Sequence, residues 1–252
     1  MTAFPSPLSS DVQLAADVPY SGVAESVDLV GLLPIDDDPA VRARSIARRY
    51  GVDVLHDVEI LSLHLSRAGV ADPWVAAEAL ASRFGGLAAV LAADRAELLR
   101  HVHAEAVLDL KLARETAIRV AAAALPGRCL LTSSSAVQAY LRACMAGLPR
   151  EEFWVLFLNR TNHLLLSERQ GHGTVDHVPV YPREVLRRAL EVGASAMILA
   201  HNHPSGDPAP SRPDIEMTKA IVKGAAALSI SVWDHMIVGR DKVLSLKSEG
   251  LM

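Results

Sequence analysis

The chain has 252 residues, 50% of them hydrophobic and 21% charged, the make-up of a globular protein with room for one large or two small domains. Its net charge of −4 is unevenly spread: residues 1–126 carry 11 basic against 17 acidic side chains, and residues 127–252 carry 14 against 12. Neither half is a basic patch that could hold nucleic-acid phosphates by charge alone. No apolar run reaches the about 20 residues that cross a bilayer. Cys129 and Cys144 are too few for a disulfide framework.

In chain order, residues 1–30 are rich in Ser, Pro, Ala and Asp without a period, which predicts a mobile tail. The start lacks the basic and apolar regions of a secretory signal, so a cytoplasmic location with two buried thiols is expected. Residues 31–126 read as a small all-α domain. Pro39 suits a first helical turn after Asp36-Asp37-Asp38, and that helix runs to Tyr50, where Gly51 ends it. Asp57 is placed as the cap of a second helix, through Leu65. Asp72-Pro73 opens a third that reaches Phe84 before Gly85-Gly86, Asp94 opens a fourth, and an Ala-rich helix covers residues 104–124. Pro126-Gly127 closes the run.

Residues 127–252 have a different texture. A helix is expected from Ser133 to Met145, then a buried strand at Phe153–Leu158 and a second strand at His163–Ser167. Val175–Val180 is weakly strand-like. Pro182–Val192 reads as a helix and Ala196–Ala200 as another buried strand. A helix from Ser211 to Leu228 and strands at Ser229–Val238 and Val243–Leu246 complete the chain. Strands interleaved with helices predict an α/β or α+β domain.

The chemistry is concentrated in His201-Asn202-His203-Pro204 and Ser211-Arg212-Pro213-Asp214. Residues i and i+2 of an extended chain project to one side, so both imidazoles can reach one metal ion. Asp214, in the first turn of the next helix, can fold back toward them. Two nitrogens and one carboxylate oxygen leave a fourth tetrahedral position for water, the arrangement of a catalytic zinc site, and zinc would lower that water's pKa to about 7. Taken alone, Ser211 and Asp214 read as a helix cap. Ser211 can cap and also hold its hydroxyl near the metal. His101-Val102-His103 repeats the histidine spacing, but at a helix end and with no carboxylate following, so both read as helix-end residues. His163, His172 and His177 read as lone histidines. His235, in SVWDHMIV, reads as a core or strand-edge histidine before it reads as a partner of the metal ligands. The zinc-protease pattern H-E-x-x-H is absent.

The joint pattern H-x-H-P, then S-x-x-D, resembles the signature of the JAMM or MPN+ metalloprotease fold. The longer text VYPREVLRRAL, ASAMILAHNHPSGDPAPSRPDIEMTKAIVKGAAALSISVWDHMIVG is similar to the RadC family across nearly all of residues 127–252. The resemblance implies an MPN/JAMM-like α+β domain with His201, His203 and Asp214 on Zn2+. It also implies a glutamate entering the first buried strand. Arg150-Glu151-Glu152-Phe153 matches the family's R-E-x-F, which makes Glu151 the proton shuttle, with Glu152 as the fallback. The implied activity is that of a zinc metallopeptidase: Glu151 moves the proton of an activated water to the leaving amine, and Ser211 donates to the developing oxyanion.

The resemblance further implies that residues 31–126 are a helix-hairpin-helix-like domain that meets DNA. The family's Gly-x-Gly turn is replaced here by Leu99-Arg100-His101-Val102-His103-Ala104-Glu105-Ala106, without a glycine. Without glycine the backbone approaches a phosphate less closely, so the hairpin is degenerate. The family's Asp after the first strand is Asn159. Three functions remain in competition: a hydrolase acting on a protein or peptide amide or isopeptide, a DNA-associated binding protein with a structural or idle metal site, and a module that docks a protein partner. No membrane partner is expected.

Overall fold

The computed structural model describes residues 38–125, 134–172 and 180–252. The expected tail, the Pro126-Gly127 junction, Cys129, His177 and all but Val180 of the weak strand lie outside the described residues.

Helix α1 (Pro39–Tyr50) begins where Asp38 Oδ1 accepts the Ala40 N–H at 2.8 Å. It ends at Gly51, whose φ of 101° suits only glycine. There follow α2 (Asp57–Arg67), α3 (Pro73–Phe84), α4 (Leu87–Ala92), α5 (Arg95–Leu98) and α6 (Ala104–Ala123). The six-residue α4 was not expected, because LAAVLA is too short to display a helical period. Nor does Asp57 cap its own helix. His56 takes that position and its N–H donates to Glu59, while Asp57 Oδ2 accepts the Leu87 N–H at 3.1 Å. The reason is Gly86: it precedes α4 without a side chain, so α2 supplies the missing acceptor. At the other end of α4, the Lys111 ammonium of α6 donates to the carbonyls of Leu91 and Ala93. Leu61, Leu65, Leu80, Val90, Leu98 and Leu110 form the shared helical core, all of them fully buried.

The remaining elements are α7 (Ser134–Met145), β1 (Glu152–Leu158), β2 (Leu164–His172), α8 (Pro182–Val192), β3 (Ala196–Asn202), α9 (Arg212–Ala227), β4 (Ser231–Val238) and β5 (Val243–Ser245). The strands form one mixed sheet in the order β2-β1-β3-β4-β5. Only β3 and β4 run parallel; the other neighbours are antiparallel. The domain is therefore α+β.

The apolar runs of β1 and β3 are unbroken because both faces of the sheet are covered. Leu156, Leu158, Ile198, Ala200, Met236 and Val238 pack on Val137, Leu141 and Met145 of α7. Phe153, Val155, Phe157, Met197 and Leu199 pack on Val185 and Ala189 of α8 and Ile221 and Ala225 of α9. Edge strand β2 extends past its expected end to His172, paired with Glu152. Its second half, SERQGH, is too polar to read as a strand.

The helical part packs on α7 through Leu125, Ile118, Ala121 and Ala122, and two polar or close contacts stand out there. The Arg114 guanidinium donates to the Cys144 carbonyl at 2.6 Å. Gly147, at φ 74°, lies so close to α4 that a Cβ there would sit 2.6 Å from the Ala89 nitrogen. Cys144 is the buried thiol expected, and burial pushes its pKa up.

Candidate metal centre

Alternation along β3 fixes the direction of His201. Met197 and Leu199 point at α8 and α9, so His201, two residues on, points the same way. The strand does not stop at Ala200 as expected; it continues through Asn202 beside β4. The pairing reaches one residue further, where the His203 N–H donates to Val238 O at 3.0 Å. This keeps His203 in extended chain on the side of His201. The loop then turns at Gly206, whose φ is 89° and whose carbonyl accepts the Arg240 N–H. The loop lies so tightly on Gly239 that a Cβ there would fall 2.5 Å from the Gly206 oxygen. It ends at Ser211, the N-cap of α9.

These constraints bring His201, His203 and Asp214 together, with one donor atom from each within 4.8 Å of the others. His201 Nε2 is 2.9 Å from His203 Nε2 and 3.6 Å from Asp214 Oδ1, and His203 Nε2 is 3.7 Å from Asp214 Oδ2. Two tetrahedral ligand atoms about 2 Å from one zinc ion are about 3.3 Å apart, and the three separations bracket that value. The protons fit as well. His203 Nδ1 is 2.7 Å from the Asp207 carbonyl oxygen, an acceptor, so Nδ1 carries the hydrogen and Nε2 holds a lone pair. A cluster of lone pairs aimed at one another is a cation site. Among the described residues, this is the one group of three or more such side chains that could hold a metal ion.

The electrostatics agree. The Asp214 carboxylate facing it raises the pKa of His203 against the opposing effect of burial, helped by the Asp207 carbonyl and by the charge of Glu151. Burial pushes the Asp214 carboxyl up, but the facing imidazoles of His201 and His203 and the hydrogen bonds from Ser211 outweigh it and hold the group well below the usual carboxylate range. Ser211 and Asp214 form a reciprocal capping box. The Ser211 N–H and hydroxyl donate to Asp214 Oδ2 at 2.8 and 2.5 Å, and the Asp214 N–H donates to Ser211 Oγ at 3.3 Å. Ser211 thus caps α9 and steadies the carboxylate at once.

The adjacent glutamates differ in their partners. Glu151 stands one residue before β1, and its charge is felt at His203. Glu152 is held instead by Arg169, which pairs with it at 2.7 Å, and by the Trp154 indole N–H, which donates to it at 2.9 Å. Asn202 brackets Glu151. Its Oδ1 accepts the Glu152 N–H at 2.9 Å, and its Nδ2 donates to the Arg150 carbonyl at 3.0 Å.

Asn202 and Thr218, which the sequence reading did not single out, lie beside the cluster, as does His235, which it read as a core or strand-edge histidine before a partner of the ligands. His235 is fully buried, Nε2 lying 2.8 Å from His201 Nδ1 and Nδ1 lying 2.6 Å from Thr218 Oγ1. Burial, with the neighbouring His201 charge, holds its pKa well below the ordinary histidine value. Thr218 had a local signal, its i+4 spacing from Asp214 on one helix. His235 had none, because its place depends on the parallel β3–β4 register. His103 is the N-cap of α6, and His101 packs edge-on against Phe84, as helix-end residues do. His163 bonds to Thr161 in the β1–β2 turn.

A cleft of about 510 Å³ opens beside the centre. His203, Pro204 and Arg240 form one wall, and Gly85, Gly86 and Leu87 of the helical part form another. Residues 131–251, which contain β1 to β5 and all three ligand candidates, match the family model described as RadC-like JAB domain. By that match, and by its α+β sheet with the His-His-Asp cluster at the end of β3, this part of the chain is a RadC-like JAB domain.

Proposed function

We propose that the chain is a zinc-dependent hydrolase of peptide or isopeptide amide bonds. The observation that carries this reading is the convergence of the His201, His203 and Asp214 donor atoms, with the charge of Glu151 felt at His203 and a cleft alongside. Bound zinc supplies a Lewis acid that polarises water and the scissile carbonyl. His201 and His203 offer Nε2 lone pairs, and Asp214 offers a carboxylate that is ionised across the working pH range. Glu151 accepts a proton from the attacking water and passes it to the departing amine nitrogen. The Ser211 hydroxyl, at the mouth of the site, turns from Asp214 to donate to the developing oxyanion. A protein or peptide segment lies in the cleft, where the helical part forms the wall opposite His203.

The DNA reading loses support at the α5–α6 turn. The N–H groups of Arg100, His101 and Val102 already donate to Glu97 and Leu98 carbonyls, which leaves them no free proton for a phosphate. The test is cleavage of a fluorogenic peptide library by purified protein. The reading expects cleavage that a zinc chelator abolishes, that added zinc restores, and that Glu151→Gln lowers by at least about 100-fold. Cleavage indifferent to both chelator and Glu151→Gln would overturn it.

A further inference from the structure

We infer that Thr218 and His235 are positioning residues that fix the tautomer of His201 and tie it to Asp214 through a chain of three hydrogen bonds. The inference rests on His201 and Asp214 being zinc ligands, as proposed above.

Proton counting sets the direction of each of these bonds. The Thr218 hydroxyl is 2.6 Å from the Asp214 carbonyl oxygen and 2.6 Å from His235 Nδ1. It has one proton. The carbonyl can only accept, so that proton goes to Asp214. His235 must then donate from Nδ1 to the Thr218 oxygen. A second proton on His235 would put a charge in a fully buried position where its ring nitrogens face His201 and Thr218; the Asp214 carboxylate acts on it only from beyond His201 and Thr218, and burial outweighs it. Its Nε2 is therefore a lone pair, 2.8 Å from His201 Nδ1. His201 must donate from Nδ1, and its Nε2 is left as a lone pair facing His203 and Asp214. One hydroxyl on α9 thereby decides which nitrogen of a β3 histidine is free.

The chain of bonds also works as a distance gauge. His201 belongs to β3, Asp214 to α9 and His235 to β4. The three elements share no covalent connection shorter than a loop. The path Asp214 carbonyl, Thr218, His235, His201 spans them through hydrogen bonds of 2.6, 2.6 and 2.8 Å. The Phe153 ring stands edge-on to His235 at 5.8 Å, which restricts its rotation. A histidine held this way needs no reorientation when it meets a metal, and partners of metal-bound histidines generally contribute about 10- to 100-fold in affinity.

The experiment has two independent readouts on the full chain. The first is long-range nitrogen–proton NMR of metal-free wild-type protein at pH 8. The inference expects Nδ1–H with unprotonated Nε2 for both His201 and His235. An Nε2–H tautomer at either residue overturns the inference, whatever the protein's metal affinity. The second is zinc affinity by competition with a chromophoric chelator. Thr218→Val, close in shape but without the hydroxyl, is expected to weaken binding about 10- to 100-fold, and Thr218→Ser to restore it. His235→Gln, whose side-chain oxygen can accept from His201, is expected to lose less affinity than His235→Leu. Wild-type affinity in Thr218→Val overturns the inference. Failure of wild-type protein to bind zinc overturns the metal reading itself, a result separable from the tautomer measurement.

Discussion

Replacing Asn202 by alanine tests whether the strand ends around the centre are held as described. The Asn202 side chain is 2% exposed and makes two hydrogen bonds, at 2.9 Å to the Glu152 N–H and 3.0 Å to the Arg150 carbonyl. A net contribution of about 1 kcal/mol per bond makes the loss about 2 kcal/mol. For a chain of this size that lowers Tm by about 4–8 °C. The two bonds flank Glu151, so their loss also frees the segment that aims its carboxylate. Misplacing a catalytic group by about 1 Å can cost about 100-fold in rate. Zinc binding should change little, because both Asn202 hydrogen bonds go to the Arg150–Glu152 backbone and not to the three donor side chains. The assay pairs thermal unfolding with kcat/KM on the best peptide substrate and a zinc titration. A Tm within 1 °C of wild type, or full activity at lowered Tm, would refute the argument that Asn202 sets the position of Glu151 (the threshold being about the smallest shift that even half a kcal/mol would give).

Three other outcomes follow from the same geometry. Glu152→Gln should leave kcat/KM within about threefold of wild type and cost under about 1 kcal/mol in thermal stability, since it loses a partly exposed ion pair with Arg169; a loss matching that of Glu151→Gln would reverse the assignment. Zinc affinity should fall with falling pH, because His203 must shed its proton to ligate and its pKa is raised above the ordinary 6.5. The fall should begin above pH 6.5 and approach tenfold per pH unit below the His203 pKa; Asp214, already ionised there, should add nothing until far lower pH, and a pH-independent affinity between 5 and 8 would contradict this. Gly147→Ala should lower stability by about 1–3 kcal/mol, because the residue sits at φ 74° and its new methyl would meet the Ala88 and Ala89 backbone; unchanged unfolding would mean that α4 does not press on this turn.

The elements readable in the sequence were those whose signal is local. Pro182–Val192 and Pro39–Tyr50 have proline starts and glycine stops, and they form over those residues. The ligand cluster was readable because i, i+2 histidines on a strand and a carboxylate in the next helical turn follow from backbone geometry alone. Glu151 and Glu152 look identical as text, and only the fold shows that Glu152 is held by Arg169 and Trp154 while the charge of Glu151 is felt at His203. Asp57 was misplaced because its acceptor is used 30 residues away, at a helix whose own cap is glycine. His235 depended on the parallel register of β3 with β4, a long-range fact that no spacing within SVWDHMIV encodes.

Zinc stoichiometry tests the central claim most directly. The wild-type chain, dialysed after zinc loading and measured by plasma mass spectrometry, should hold about one zinc ion per chain with tetrahedral nitrogen and oxygen ligation. His203→Ala should lose it while keeping wild-type secondary structure. A wild-type protein that holds no zinc, or a His203→Ala protein that holds as much as wild type, would contradict the assignment of His201, His203 and Asp214 as a metal centre.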